Sequence, residues 1–206
     1  MSQQFEIELR GLLSKDQFNQ LSDTFSHEAE FAQNKNRVLI DYSTFLEGQG
    51  IKERQKDIRL RSTNGQPEII VKLGSWGGSE QREELSVLTH KDSFDTLVKI
   101  FNALGYNKGV LCVRNSAVYN YDGVEFALVE VPGHSYYFEA EKVVSSESEK
   151  DKAKDDVAAV CAHLGLSIFS DAEFYNYIEQ LNKEANEVFD FDKDFSEGYF
   201  KKRFSI

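Results

Sequence analysis

The sequence predicts an α+β fold in which eight antiparallel strands close into a barrel, or tunnel, with helices packed outside it. Three features carry that expectation. Eight segments alternate apolar and polar residues with period two, and most are joined by short turns. Four other segments repeat apolar residues at helical spacing. One face of the strands collects arginine and glutamate, where a solvated sheet face normally mixes threonine, serine, lysine and glutamine.

The first strand is Phe5-Glu6-Ile7-Glu8-Leu9-Arg10, ended by Gly11. A helix follows, opened by a capping box of Ser14 and Gln17 and presenting Phe18, Leu21 and Phe25 on one face. Val38 to Tyr42 reads as the second strand, before a glycine-containing loop and the basic cluster Lys52-Glu53-Arg54-Gln55-Lys56. Asp57 to Arg61 and Glu68 to Leu73 flank Asn64-Gly65, a strong hairpin signal. The loop Gly74-Ser75-Trp76-Gly77-Gly78 leads to a fifth strand over Gln81 to Val87. A second helix starts near Asp92, presents Phe94, Leu97, Phe101 and Leu104, and stops at Gly105.

Strands resume over Val110 to Tyr119, Glu125 to Val131 and Tyr136 to Val144, joined by turns at Asp122-Gly123 and Pro132-Gly133. Ser145 to Asp156 reads as solvated chain. A helix then carries Val157, Val160 and Leu164, and another opens with a capping box of Ser170 and Glu173. The expected organisation is one tunnel domain over residues 1–182, with an acidic, aromatic tail over 183–206 packed on the same domain. That tail either lies on the domain surface or plugs one end of a cavity.

Side chains alternate across a strand, so each strand sorts its residues between two faces. The apolar set, which includes Ile7, Leu60, Val71, Leu85, Val87 and Phe138, suits a surface covered by helices. The charged set holds five carboxylates (Glu6, Glu8, Glu84, Glu139, Glu141) and six cations (Arg10, Arg59, Arg61, Lys72, Arg82, Arg114). On any one strand such alternation is ordinary. Across several strands of a closed sheet it makes an ionic interior, whose charges need each other, water or a ligand for compensation. Arginine forks suit bidentate capture of phosphate oxygens. Glutamates two apart on a strand suit a hard divalent cation, which in turn bridges phosphates.

Composition narrows the function. Asp and Glu number 35 against 24 Lys and Arg, a net charge of −11 over 206 residues. A protein that coats nucleic acid or anionic membrane needs a broad positive field, so neither is expected as a partner. Two cysteines and four scattered histidines make neither a disulfide framework nor a zinc site. The N-terminal residues lack the pattern of a signal peptide and no apolar run reaches the ~20 residues of a spanning helix, so a soluble cytoplasmic protein is expected.

The order Glu6-Ile-Glu8-Leu-Arg10, Arg59-Leu-Arg61, Lys72, Arg82-Glu-Glu84, Arg114 and Glu139-Ala-Glu141 resembles the CYTH superfamily, the triphosphate tunnel metalloenzymes, from about Phe5 to Leu181. That superfamily includes class IV adenylate cyclases, thiamine triphosphatases and inorganic triphosphatases. The resemblance implies that Glu6, Glu8, Glu139 and Glu141 hold Mg²⁺ or Mn²⁺ as cofactor. It also implies that Arg10, Arg59, Arg61, Lys72, Arg82 and Arg114 bind a small triphosphate substrate. Glu84 and Arg10 are the expected catalytic residues, Glu84 as a supporting carboxylate. Three positions depart from the family pattern: Arg10 replaces lysine, Cys112 stands where lysine is common, and Val129 stands where aspartate is common. Glu130 would replace that acid only if a bulge turned it inward.

The expected function is metal-dependent hydrolysis of inorganic triphosphate, thiamine triphosphate or a nucleoside triphosphate, by a monomer or homodimer. A class IV-type adenylate cyclase and a non-catalytic polyphosphate- or nucleotide-binding module are the alternatives. Only the cyclase must also seat an adenine, beside loop residues such as Trp76. The two cysteines are expected to be chemically inert.

Overall fold

A computed structural model of the chain describes residues 5–77 and 79–206, with the backbone alone for 79–81. Gly78 of the predicted loop and the leading residues 1–4 lie outside the described residues.

Strands β1 (Phe5–Leu13), β2 (Glu30–Asp41), β3 (Lys56–Thr63), β4 (Gln66–Leu73), β5 (Ser79–Leu88), β6 (Lys108–Tyr121), β7 (Val124–Val131) and β8 (Ser135–Val144) form one antiparallel sheet. Its order is β2-β3-β4-β5-β1-β8-β7-β6, and β6 pairs back onto β2, which closes the barrel. A ninth strand, β9 (Glu187–Asp190), runs along Lys108 to Leu111 of β6, beyond the stretch that β7 covers. The predicted hairpin turns are present. Asn64-Gly65 and Asp122-Gly123 both hold positive φ at their two central positions, at 52° and 77° and at 49° and 74°, as a twisted two-residue hairpin requires.

Helices α1 (Lys15–Glu28), α2 (Phe94–Ala103), α3 (Lys150–His163) and α4 (Asp171–Glu184) lie outside the strands, with the short α5 (Phe191–Asp194) and α6 (Tyr199–Phe204) in the C-terminal segment. Both predicted capping boxes close: the Gln17 and Glu173 amides donate to Ser14 and Ser170 Oγ, while the Ser14 and Ser170 amides donate to the Gln17 and Glu173 side chains. No helix among the described residues is long and apolar enough to cross a membrane.

The apolar faces of the strands point outward under these helices. Phe25 of α1 and Val157 and Cys161 of α3 pack on Leu9, Phe126 and Phe138. On the other side Phe94 and Phe101 of α2, with Phe189 and Phe200 from the C-terminal segment, pack on Ile40, Ile58 and Leu60. Full burial of each such side chain is worth about 1.5–3 kcal/mol, so these two outer layers hold the barrel while its interior stays ionic. Gly11 is needed for this layering: a Cβ there would lie 1.9 Å from the Ser167 carbonyl and 2.5 Å from the Phe138 ring.

The structure differs from expectation at several places. β1 runs through Gly11 to Leu13 instead of ending at Gly11, because its pairing with β8 continues to Leu13 and Tyr136. Leu104, expected on the apolar face of the second helix, follows the end of α2 and is exposed. β2 begins at Glu30, eight residues before the predicted Val38; Gln33 to Arg37 are polar on both faces, and this part of the strand owes its conformation to pairing with β6. The predicted solvated stretch after β8 contains the first two turns of α3, where Ala153 is buried among charged neighbours. Leu85 and Val87, expected under helices, are 51% and 57% exposed, so that part of β5 lies outside the helix-covered surface among the described residues.

Candidate active site in the barrel interior

Closing the sheet brings the charged faces together and sorts them by sign. The wall β6-β2-β3-β4 carries Arg114, Lys35, Arg37, Arg59, Arg61 and Lys72. The facing wall β5-β1-β8-β7 carries Glu84, Glu6, Glu8, Glu139, Glu141 and Glu125. Four contiguous strands are therefore mostly cationic inside, and the other four mostly anionic. Arg10 sits among the acids, 2.8 Å from Glu8 and 3.5 Å from Glu139.

The interior has two connected regions. At the carboxylate end a cavity of about 230 Å³ is lined by the six glutamates of the acidic wall and by Arg10, Lys35, Arg37, Arg59, Arg61 and Lys72. At the other end a cavity of about 140 Å³ shares Arg10, Arg37, Arg59 and Arg61, adds Arg114, and is closed by Trp76, Phe169 and the α4 residues Tyr177, Ile178 and Leu181. From the C-terminal segment only Asn186 reaches this lining; Phe189 and Phe200 belong to the outer core.

Register explains the electrostatics. Glu8 stands opposite Glu141, and Glu141 stands opposite Glu125, so three acids form one row across β1, β8 and β7. Like charges directly opposite repel. Burial, with Glu6 alongside, pushes the Glu141 carboxyl up to about 8. Complete burial likewise raises Glu8 well above the usual range, with Glu139 and Glu6 adding to the rise and Arg10 opposing it. Burial would raise Glu6 too, but Lys72 at 2.8 Å outweighs it and, with Arg10, holds the carboxyl at about 2. The row thus holds more negative potential than its cations neutralise.

An all-oxygen set of this kind fits a hard divalent cation. Among the described residues no three acidic, histidine or cysteine side chains are yet arranged around one metal point. Glu6 is drawn toward Lys72 and Glu8 toward Arg10, so a cation held by Glu6, Glu8, Glu139 and Glu141 must compete with those pairs.

The basic wall is held by a second layer of acids. Asp57 is fully buried and accepts hydrogen bonds from Arg59, from Arg82 at 3.2 Å and from Arg54 at 3.5 Å. Arg54 also donates to Asp41 at 2.7 Å and to Thr44 at 2.7 Å, and its guanidinium lies 4.3 Å from the Trp76 ring centroid. Burial opposes ionisation of Asp57, yet Arg59, Arg54 and Arg82 together hold its carboxyl far below the usual aspartate range. Glu68 takes the Arg61 guanidinium at 2.7 Å, and Glu84 lies 3.1 Å from Lys72.

Of the sequence-derived residues, Glu6, Glu8, Arg10, Arg59, Arg61, Lys72, Glu84, Glu139 and Glu141 meet at the carboxylate end, and Arg114 lines the aromatic end. Arg82 lines neither cavity; it is 2% exposed and bound to Asp57. Val129 faces the interior, and the β7–β8 register is unbroken from Glu125 to Val131, so no bulge turns Glu130 inward. The inward acid of β7 is instead Glu125, paired with Lys35 at 3.2 Å. Sequence reading misses Lys35, Arg37, Asp57 and Glu125. The signal is present, because 35, 37, 39 and 41 share a parity, as do 57, 59 and 61, and 125, 127 and 129.

No protein-family model and no curated protein matches the sequence. Solved structures do. The PH1819 protein of Pyrococcus horikoshii OT3 is 22% identical, with a TM-score of 0.69 over 85% of this chain and 98% of that one. A candidate adenylate cyclase of Vibrio parahaemolyticus is 18% identical, with a TM-score of 0.57 over 83% of this chain and 92% of that one. The Hippeastrum protein HpAC1, a candidate adenylyl cyclase with a dominant triphosphatase activity, is 18% identical, with a TM-score of 0.54 over 86% and 96% of the two chains. At such identities the likeness is one of fold: these structures share the closed eight-stranded antiparallel barrel that the sequence reading expects of a CYTH-like tunnel.

Proposed function

We propose that the protein is a metal-dependent phosphohydrolase acting on a small triphosphate within the tunnel. The observation that carries this reading is the division of a closed barrel into facing cationic and anionic walls. A triphosphate needs cations along its oxygens, and a metal that bridges those oxygens needs carboxylates on the other side. The fold shared with HpAC1, whose dominant activity is that of a triphosphatase, supports it.

In this reading Arg59, Arg61, Lys72 and Arg114 bind phosphate oxygens from the basic wall. Arg10 reaches the same space from the acidic wall, and Arg82 acts through Asp57 by fixing the Arg59 guanidinium. Glu6, Glu8, Glu139 and Glu141 hold Mg²⁺ or Mn²⁺. When bound, that cation supplies Lewis acidity, neutralising phosphate oxygens and easing deprotonation of water. Glu84 holds the Lys72 ammonium toward the interior. Catalysis then consists mainly of positioning and charge neutralisation.

The aromatic-end cavity, lined by Trp76, Phe169 and Phe174, is the place where a cyclase would seat an adenine, so the products decide between the two readings. The deciding experiment supplies Mg²⁺ or Mn²⁺ with tripolyphosphate, thiamine triphosphate or ATP and measures the products. Orthophosphate release supports the hydrolase, while cyclic AMP with pyrophosphate identifies a cyclase. Tight binding without turnover identifies a binding module.

A further inference from the structure

Arg37 of β2 stands directly opposite Arg114 of β6, where these two strands close the barrel. Both side chains line the aromatic-end cavity. Directly opposed like charges repel across a strand pair, and half-buried guanidinium groups forgo part of their hydration. The remedy used elsewhere on this wall is a carboxylate: Asp57 for Arg59, Glu68 for Arg61, Glu84 for Lys72, Glu125 for Lys35. Among the described residues, neither Arg37 nor Arg114 has one. Arg114 is oriented by neutral acceptors, the Val113 carbonyl at 2.7 Å and Asn186 Oδ1 at 2.9 Å. Arg37 Nε is buried with no hydrogen-bond partner. Arg61 also feels the positive charge of Arg37, which with burial lowers its own proton affinity.

Two opposed guanidinium groups without a carboxylate partner, Arg114 steadied by Tyr137 and Asn186, face a cavity that Asp41 and Glu139 also line. We propose that Arg37, with Arg114, grips the phosphate at the deep end of the bound triphosphate, away from the carboxylate row. This rests on the proposed triphosphate reading and adds Arg37 as a substrate-binding residue. Each fork can offer two parallel donors to phosphate oxygens, and the anion would relieve the repulsion between them. The chain would therefore enter with one end phosphate at the β2–β6 seam and its remaining phosphates toward the glutamates.

The test is calorimetric titration of sodium tripolyphosphate into the full-length protein with EDTA present, comparing wild type, Arg37→Gln and Arg37→Lys. Loss of a charge-assisted contact should weaken binding about 10- to 100-fold in Arg37→Gln. Arg37→Lys keeps the charge but not the fork and should fall between the two. Without anion, Arg37→Gln should melt at or above the wild-type temperature, because it removes a repulsive neighbour. Affinity equal to wild type would overturn the role of Arg37 while leaving the triphosphate reading intact. Wild-type protein that binds no tripolyphosphate, with or without metal, would overturn both. A clearly lowered melting temperature, or failure of Arg37→Gln to fold, would mark Arg37 as a structural residue and also refute the inference.

Discussion

Asp57 accepts a hydrogen bond from Arg82 Nη1 at 3.2 Å, with neither side chain reaching solvent, and the same carboxylate holds Arg59, which does face the interior. A residue of the tunnel lining is thereby fixed by two residues behind it. This relationship separates two kinds of arginine that look alike in the sequence. Arg59 is presented to a ligand; Arg82 keeps it there.

Asp57→Ala should therefore cost stability before anything else. Removing one partner from a buried ionic cluster typically costs about 3–5 kcal/mol, because the remaining charges lose compensation. For a chain of this size that corresponds to a fall in melting temperature of about 6–20 °C. The pH dependence has a definite sign. The folded-state pKa of Asp57 lies below its unfolded value, so its contribution is complete above the ordinary aspartate pKa of ~3.9 and is lost as pH falls through the depressed value. Thermal melts of wild type and Asp57→Asn should run parallel from pH 7 to about pH 4 and begin to converge only below it; convergence already near pH 6 would contradict the assignment.

Glu6→Gln tests the acidic wall. On the acidic wall Glu6 is held in its charged form while Glu8 and Glu141 are pushed the other way, and an amide keeps its shape while removing the negative charge. Lys72 retains Glu84 at 3.1 Å, so the barrel should stay folded. Turnover with Mg²⁺ or Mn²⁺ should fall at least 100-fold and metal affinity should drop, with far-ultraviolet circular dichroism unchanged. Undiminished activity would remove Glu6 from the metal site.

Legibility in the sequence follows from where the physics is local. Period-two alternation at Glu6, Glu8 and Arg10, or at Arg59 and Arg61, is set within one strand, so the inward sets there follow from residue spacing alone. Capping at Ser14 and Ser170 and the Asn64-Gly65 turn are equally local. The first half of β2 is not legible in this way. Gln33, Asn34 and Asn36 carry no apolar face, and the pairing that makes them a strand comes from β6, some eighty residues away. Lys35 and Arg37 are missed with it. Arg82 shows the opposite error: its parity places it inward correctly, but parity cannot tell a side chain that reaches the cavity from one caught by Asp57 on the way.

The two thiols should be inert in the folded protein. Burial pushes Cys112 up to about 11 and Cys161 up to about 12, from an ordinary value of 9.0. The thiolate is the reactive species, so at pH 8 Cys112 presents a thiolate fraction about 100-fold smaller than an ordinary thiol. A thiol-reactive chromogenic disulfide should label neither cysteine in native buffer and both after denaturation. Prompt native labelling of one thiol would show that the cavity beside Arg114, or the outer core around Val157, opens on the timescale of the reaction.

Arg59→Ala and Arg59→Lys separate binding from support on the basic wall. Arg59 lines both cavities and is tied to Asp57, which keeps Arg54 and Arg82 as partners when Arg59 is shortened. Stability should therefore fall less than in Asp57→Ala, because the buried carboxylate is still compensated. Loss of a charge-assisted contact to phosphate should weaken triphosphate affinity about 10- to 100-fold. Lysine restores charge without the planar fork, and its shorter set of donors cannot bond Asp57 and a phosphate oxygen at once, so Arg59→Lys should recover only part of the loss. Dissociation constants for tripolyphosphate, measured with melting temperatures on the same samples, distinguish the outcomes. An unaltered constant in Arg59→Ala would place the phosphates elsewhere in the tunnel, whereas a stability loss matching Asp57→Ala would make Arg59 a support like Arg82.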